Sequence, residues 1–148
     1  MEKAEEHREV EDMEFPTDMK KTKQRESIYR ILIQKTEPVS AADLYNSLIR
    51  TVKDGNLSIS TVYRALSAFE EKGHVIKSIP MGEDTAYYEW NRGKHRHYAV
   101  CLRCHKLIPL KSCPFEHIKI EADAGNFTVT GHKLELYGYC SACKKKEE

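Results

Sequence analysis

Two C-x-x-C pairs constrain the second half of this 148-residue chain more than any other feature of its sequence. Cys101 and Cys104 form the first pair, and Cys140 and Cys143 form the second. A C-x-x-C turn directs two thiolates to one point, so two such turns supply the four sulfurs of a tetrahedral zinc. The alternatives are two disulfides or four unrelated thiols, but a redox C-x-x-C usually occurs once, beside a βαβ pattern. The sequence therefore predicts one structural Zn²⁺ held by these four cysteines.

The rest of the composition favours a cytoplasmic protein with no membrane partner. No apolar run approaches the roughly 20 residues that span a bilayer. The N-terminal residues are charged and lack the apolar core of a signal peptide. Thiols that are kept free for a metal suit a reducing compartment.

The formal net charge of +1 conceals an uneven distribution of charge along the chain. Residues 1–19 carry eight acids and two bases, whereas residues 20–77 carry eleven bases and six acids. The first stretch is also poor in large apolar residues, which favours a mobile acidic tail or a loose first helix. The basic stretch is a candidate for contact with nucleic acid, although such a charge balance is also found on ordinary solvated faces.

The residues that follow Thr22 show the pattern of three short helices and then two strands. The first helix ends before Pro38, and Ser40 is a favourable N-cap for the second. The third helix is predicted over residues 61–72, and Gly73 ends it. Strands are predicted over residues 74–79 and 86–90. This order predicts a winged helix, which is an elaborated helix-turn-helix.

The first turn of the third helix is the candidate DNA reader. It carries Ser60, Thr61, Tyr63 and Arg64, all of which can donate hydrogen bonds. In helix-turn-helix proteins, residues at this end of the second helix reach base edges. Arginine can bond guanine or phosphate, and tyrosine can pack on thymine methyl groups. The alternative is an ordinary surface pair of tyrosine and arginine.

Beyond Gly93 the pattern changes to that of a small α/β unit. The predicted strands are residues 98–101, 107–110, 127–130 and 134–139, with a helix over residues 115–124 that begins after Pro114. A unit of this size has too small a core to be stable alone. We expect the zinc and a dimer interface, made from the sheet edge or an apolar face, to stabilise it.

Histidines and carboxylates in the same region suggest a second metal site. His95 and His97 form an H-x-H pair, whose imidazoles point to one side if the segment is extended. Glu89 precedes them, Glu116 lies on the predicted helix, and His132 lies between the last two strands. Imidazoles with carboxylates suit zinc, iron or manganese. Each residue taken alone is explained equally well as a solvated polar side chain.

Cys113 is the odd fifth cysteine, and three roles are open to it. It could be a core thiol, which we favour from the sequence, or a redox reporter, or a metal ligand. Two other histidines receive structural roles only: we expect His74 to cap or pack at the end of the third helix, and His105 to lie on the surface.

Taken together, these residues resemble the ferric uptake regulator family of bacterial metal-responsive repressors. The resemblance covers about residues 20–146. Its motifs are the Thr61–Arg64 start of the reading helix, the H-x-H before the first C-x-x-C, the segments at residues 131–133 and 136–138, and the closing C-x-x-C. The resemblance implies an α+β fold: a winged-helix DNA-binding domain at residues 20–91 and a dimerisation domain with a four-cysteine zinc site at residues 98–148. Residues 1–19 would form an acidic tail and residues 92–97 a hinge.

Within the family, residues 111–114 and 127–133 look most like the zinc uptake regulators. The resemblance implies a regulatory site made of His95, His97, Glu116 and His132, with Glu89 as a ligand at the hinge. It implies Zn²⁺ as the regulatory metal, with Fe²⁺ and Mn²⁺ as the alternatives.

Two departures from the family pattern argue against a peroxide sensor. Glu37 and Pro38 stand where members often place a histidine ligand, and Pro109 stands where peroxide sensors carry an aspartate. These losses also leave the full set of hinge ligands open.

The expected function is that of a zinc-responsive repressor that binds palindromic operator DNA as a homodimer and takes no small-molecule substrate. Lys20 and Lys21, ahead of the first helix, are weaker candidates for contact with the minor groove. An iron-responsive regulator of the same family is the alternative. A zinc hydrolase that uses the H-x-H pair, and a zinc-ribbon adaptor whose winged helix binds protein, are alternatives from other classes. The chain shows no nucleophile elbow or H-E-x-x-H motif, which disfavours the hydrolase.

Overall fold

A computed structural model describes residues 13–53, 55–93, 95–117 and 127–145 of the chain. The chain divides into two compact units, residues 1–92 and residues 93–148. Within the described ranges, no helix has the length and apolar character needed to cross a membrane.

Three helices of the first unit begin at hydroxyl side chains that cap their N-termini. They are α1 (Lys23–Gln34), α2 (Ala41–Thr51) and α3 (Ile59–Glu71). The side-chain oxygens of Thr22, Ser40 and Ser58 each accept a hydrogen bond from the backbone N–H three residues later. Such bonds satisfy one of the N–H groups that a helix leaves without a partner in its first turn. The N-cap predicted at Ser40 is confirmed.

Gly73 ends α3 with a left-handed backbone, at a φ of +80°. Its N–H donates to the Glu70 carbonyl at 2.9 Å, and the His74 N–H donates to the Phe69 carbonyl at 2.9 Å. This pair of bonds is the Schellman arrangement, which favours glycine because a Cβ would be strained there. The helix end predicted at Gly73 is confirmed.

A three-stranded antiparallel sheet follows the helices and completes the winged-helix arrangement. Its strands are β1 (Val39–Ser40), β2 (Val75–Ser78) and β3 (Tyr87–Trp90), in the order β1-β3-β2. The hairpin of β2 and β3 is the wing predicted from the sequence. The two-residue strand β1 was not predicted, because so short a segment carries no periodic pattern.

The core of the first unit is built from apolar faces of all three helices, closed by the aromatic side chains of the sheet. Phe69 is completely buried, and its ring centroid lies 5.4 Å from that of Trp90. Phe15 packs edge-on against Phe69 and Tyr29, so the described residues that precede α1 contribute to this core. His74 stacks on Trp90 and bonds to Asp18 at 2.8 Å, which gives it the packing role that we expected.

The second unit contains a small mixed sheet. Its strands are β4 (Tyr98–Cys101), β5 (Leu107–Pro109) and β6 (Glu135–Gly138), in the order β5-β4-β6. β4 pairs with β5 in antiparallel fashion and with β6 in parallel fashion. Helix α4 (Ser141–Lys144) follows β6.

Two elements predicted for this unit differ from what the structure shows. Residues 127–130 lie outside any strand, although they alternate in polarity, because a strand needs a hydrogen-bonded partner that alternation cannot supply. The helix predicted over residues 115–124 begins as a 3-10 turn at Pro114–His117, and the rest of that range lies outside the described residues.

Candidate metal centres and DNA-binding surface

The two C-x-x-C pairs meet at one end of the second unit's sheet. Cys101 is the last residue of β4 and lies in register with Gly138, the last residue of β6. A turn leads from Cys101 to Cys104, and Cys140 directly precedes the short α4 that carries Cys143. Because β4 and β6 are parallel, both C-x-x-C turns follow the C-terminal ends of their strands, at the same edge of the sheet.

The spacing of the four sulfurs fits a tetrahedral zinc. All four lie within 4.8 Å of one another, and the Sγ atoms of Cys104 and Cys140 are 3.8 Å apart. A Zn–S bond of about 2.3 Å gives a tetrahedral S–S edge of about 3.8 Å. The four-cysteine cluster therefore fits a structural zinc site.

The protein around this cluster sets the ionisation of its thiols. Backbone N–H bonds at Cys104 and Cys140 lower the pKa of the Cys101 thiol to about 5. Burial, and then the neighbouring thiols, raise the pKa of Cys143 to about 12. Four thiolates cannot coexist at this spacing without a cation, so metal binding must displace protons.

A second cluster lies at the opposite end of the same strands. It contains His95, His97, Cys113 and His132, whose possible ligand atoms lie within 4.8 Å of one another. His132 Nε2 is 2.8 Å from His95 Nε2 and 2.9 Å from His97 Nε2. Cys113 Sγ is 3.2 Å from the Nε2 atoms of both His97 and His132.

Hydrogen bonding alone cannot account for these contacts. A ring nitrogen offers either one proton or one lone pair, so His132 Nε2 can make a single good hydrogen bond. It nevertheless has three polar neighbours, at 2.8, 2.9 and 3.2 Å. A cation at the centre would accept a lone pair from all four residues, which is the chemistry that this donor set fits.

The environment of His97 favours the neutral imidazole that a metal requires. Burial lowers the pKa of His97, and the imidazoles of His95 and His132 lower it further. A backbone hydrogen bond at Leu134 opposes this shift. Phe115 packs against the ring of His132 at a centroid distance of 4.7 Å and helps to orient it.

The N-terminal turn of α3 presents a polar surface. Val62 is completely buried and faces the core, whereas Tyr63 is half exposed and Arg64 is exposed. Ser60 is exposed, and the Thr61 hydroxyl bonds with Ser58 Oγ at 3.0 Å. The predicted reading residues therefore lie on the outer face of their helix.

A cleft of about 250 Å³ adjoins this surface and brings together the first turns of α1 and α3. It is lined by Thr22, Gln24, Arg25, Thr61, Arg64 and Ala65. Two helix N-termini and two guanidinium groups form a favourable environment for phosphate oxygens. Arg25 was missed from the sequence, because its proximity to Arg64 depends on the packing of two helices.

Comparison with known proteins identifies a family in which metal sites and a DNA-binding surface of this kind are expected. The sequence profile of the ferric uptake regulator family matches residues 16–137. The peroxide operon regulator of Bacillus subtilis is 31% identical over 132 residues, covering 88% of each chain. The ferric uptake regulation protein of Campylobacter upsaliensis is 31% identical over 129 residues, covering 86% of this chain and 82% of that protein. The crystal structure of the Vibrio cholerae ferric uptake regulator superimposes with a TM-score of 0.67 at 30% identity, covering 83% of this chain and 93% of that one.

The chain belongs to the ferric uptake regulator family. It is therefore a metal-binding transcription regulator and not an enzyme, which confirms the class predicted from the sequence. Regulators of this family bind operator DNA and are dimers. The relatives named above carry both peroxide and iron in their names, so they do not determine which metal this member senses.

In this family member, the structure brings together three of the five predicted regulatory ligands. His95, His97 and His132 belong to the second cluster. Glu116 is exposed on the 3-10 turn of the second unit and is not part of the cluster. Glu89 is half-buried on β3 of the first unit, and its role as a ligand stays a prediction. Cys113 completes the cluster instead. The signal available in the sequence was a fifth cysteine close to the histidines, in a chain whose other four cysteines were already paired.

Replacing Cys140 with serine should remove the structural zinc. We expect wild-type protein to retain one zinc per chain through mild chelation, and Cys140→Ser to lose that zinc, the dimer and much of its second unit. The reason is that metal binding and folding are one process in so small a unit. Metal analysis, circular dichroism and light scattering measure these outcomes, with the neighbouring exposed Ser141→Ala as the control. A folded, dimeric Cys140→Ser protein would refute the structural role of the four-cysteine cluster.

Proposed function

We propose that this protein is a zinc-responsive transcriptional repressor of the cytoplasm. It binds palindromic operator DNA as a homodimer when the second cluster holds a metal ion. The observation that supports this most directly is the convergence of three imidazole nitrogens and one sulfur, with no carboxylate from the described residues in the group.

The donor atoms support zinc over manganese and iron. Carboxylate and other oxygen ligands suit manganese, whereas imidazole and thiolate ligands suit zinc. In the Irving–Williams order, sites of nitrogen, oxygen and sulfur bind Zn²⁺ more tightly than Mn²⁺ or Fe²⁺. A peroxide sensor needs an iron site rich in nitrogen and oxygen, and the described cluster contains no oxygen donor.

The exposed turn of α3 supports the reading of DNA by Tyr63 and Arg64. In a dimer, two copies of α3 would read half-sites about 34–36 Å apart, which is one turn of DNA. Arg25 would then contact the phosphate backbone. Lys20 and Lys21 stay weaker candidates for minor-groove contact. Lys21 Nζ lies 3.6 Å from Glu26 Oε1, so its contact with DNA would compete with this ion pair.

The exposed apolar side chains of the second unit support a dimer interface there. Leu136 and Tyr137 on β6 are 45% and 44% exposed, and Val129 and Phe127 in the preceding segment are 49% and 68% exposed. Among the described strands, β6 pairs only with β4, so its other edge can accept a strand. Covering this edge and these side chains with a second copy would stabilise a unit that is small by itself.

Metal can act as a switch because its coupling to DNA needs little free energy. A tenfold gain in operator affinity requires about 1.4 kcal/mol of coupling between the two sites. The metal must bind the DNA-competent state more tightly than the other state, by at least this amount. Glu89 stays a proposed additional ligand, as the family resemblance implies. Glu116 is not in the described cluster, and we propose that it does not bind the metal.

An iron-responsive regulator is the alternative within the family. It is favoured by the 31% identity to the Campylobacter upsaliensis ferric uptake regulation protein. The two proposals differ in which metal raises operator affinity at the lower free concentration.

Removing one imidazole should abolish the response to metal without unfolding the protein. An operator is first selected from random duplex DNA with zinc-loaded wild type. We expect zinc to raise the affinity of wild type for this operator by at least about tenfold. Zinc should not change the operator affinity of His132→Ala. His117→Ala is the matched control, because His117 is exposed and is not in the cluster. Identical activation curves for wild type and His132→Ala would exclude this cluster from the switch.

Changes at the proposed DNA-contacting residues of α1 and α3 should affect DNA binding alone. Arg64→Ala should weaken operator binding by about 1–3 kcal/mol if it reads a base, with relaxed specificity at that base. Arg25→Ala should weaken binding to all sequences and lower the salt slope by about 1, since it is proposed to contact phosphate. The zinc content and the dimer should match wild type in both. If Arg64→Ala and Tyr63→Phe both bind normally, α3 is not the reader.

Acidification should weaken activation by zinc, because a metal binds only neutral imidazole. We expect the zinc concentration for half-maximal operator binding to rise as pH falls below histidine's reference pKa of about 6.5. The lowered pKa of His97 means that this ligand stays neutral to a lower pH than an ordinary histidine. Fluorescence anisotropy at a series of pH values measures this dependence, with metal-independent DNA binding recorded at each pH. An activation midpoint that is constant from pH 7.5 to 5.5 would contradict histidine ligation.

A further inference from the structure

We propose that the thiolate of Cys113 is the fourth ligand of the regulatory metal, and that this sulfur determines which metal the cluster prefers. The regulatory meaning of the inference rests on the proposed function. The ligand itself can be tested without DNA.

The position of the sulfur fits a metal ligand better than a core thiol. Its distances to His97 Nε2 and His132 Nε2 are both 3.2 Å. Bonds of about 2.3 Å to sulfur and 2.0–2.1 Å to nitrogen give a tetrahedral edge of about 3.5 Å. A cation would therefore need to move these atoms apart by only a few tenths of an ångström. A core thiol would contact apolar atoms, whereas this one has two imidazole nitrogens as neighbours.

The local fold separates Cys113 from the carboxylate that the family resemblance favours. Cys113 is only 3% exposed, whereas Glu116 is exposed. The Glu116 N–H donates to the Cys113 carbonyl at 3.3 Å, which starts the 3-10 turn that Pro114 opens. The buried member of the pair is the one that reaches the three histidines.

A sulfur and an oxygen ligand at this position would make the site prefer different metals, although both ligands carry the same negative charge. Either a thiolate or a carboxylate contributes one negative charge to three neutral imidazoles. The thiolate is the softer donor and favours zinc, whereas a carboxylate favours manganese and similar hard cations. Cys113→Asp therefore tests softness with the ligand charge held constant.

The first experiment detects the sulfur–metal bond directly. Full-length protein with its structural zinc in place receives one equivalent of Co²⁺, and metal analysis confirms that the zinc remains. Wild type should show a thiolate-to-cobalt charge-transfer band in the near-ultraviolet difference spectrum. Cys113→Ser should lose this band, and Glu116→Gln should keep it. A band that persists in Cys113→Ser, or that is lost equally in Glu116→Gln, would overturn the proposal.

The second experiment measures the preference and guards against a misfolded serine variant. Competition titrations give the ratio of zinc to manganese affinity for wild type, Cys113→Asp and Glu116→Gln. The ratio should fall at least about tenfold in Cys113→Asp, equivalent to about 1.4 kcal/mol, and should be unchanged in Glu116→Gln. An unchanged ratio in Cys113→Asp would overturn the role of sulfur in selectivity. If cobalt binds through Cys113 and the ratio falls, but zinc does not change operator affinity, then the proposed function fails and this inference stands.

Discussion

The parallel pairing of β4 with β6 is the interaction on which the second unit depends. At one end of the pair, Cys101 lies in register with Gly138, and the two C-x-x-C turns leave the sheet together. At the other end, Tyr98 lies in register with Glu135, which brings His97 near the segment that carries His132. The three residue steps from Tyr98 to Cys101, at about 3.3 Å each, separate the two ends by roughly 10 Å. One short pair of strands therefore brings together two clusters of candidate metal ligands, and a metal held by the four cysteines would stabilise the register on which the histidine cluster depends.

The donor atoms of the two clusters suit different roles. Four thiolates would enclose a metal and leave it no open position, which is typical of a structural site. The second cluster includes His95, which lies three residues beyond Arg92, the last residue of the first unit. Arg92 donates hydrogen bonds to the carbonyls of Ile33 and Lys35, at the C-terminal end of α1. These bonds tie the last residue of the first unit to α1.

Much of the fold and part of the site could be predicted because they rest on local signals. A few adjacent residues are enough to predict each of these features: the helix N-cap at Ser40, the helix end at Gly73 and each C-x-x-C pair. The parallel register of β6, the inclusion of Cys113 and the approach of Arg25 to Arg64 depend on residues far apart in sequence, and no local pattern encodes them. The strand predicted at residues 127–130 shows the converse case, since its alternation is present but the described sheet gives it no partner. Glu116 was favoured by resemblance, whereas burial of the neighbouring thiol is a property of this chain's own packing.

The most direct test of the account is a single anaerobic titration. Wild-type dimer, with its structural zinc retained, is titrated with Zn²⁺, Fe²⁺ and Mn²⁺ against an operator selected from random duplex DNA, and operator affinity is followed at buffered free metal concentrations. We expect zinc to raise operator affinity at the lowest free metal concentration, with iron and manganese requiring higher concentrations. Activation by iron at a lower concentration than zinc would contradict the assignment of the metal. An operator affinity that none of the three metals changes would contradict the claim that the second cluster controls DNA binding.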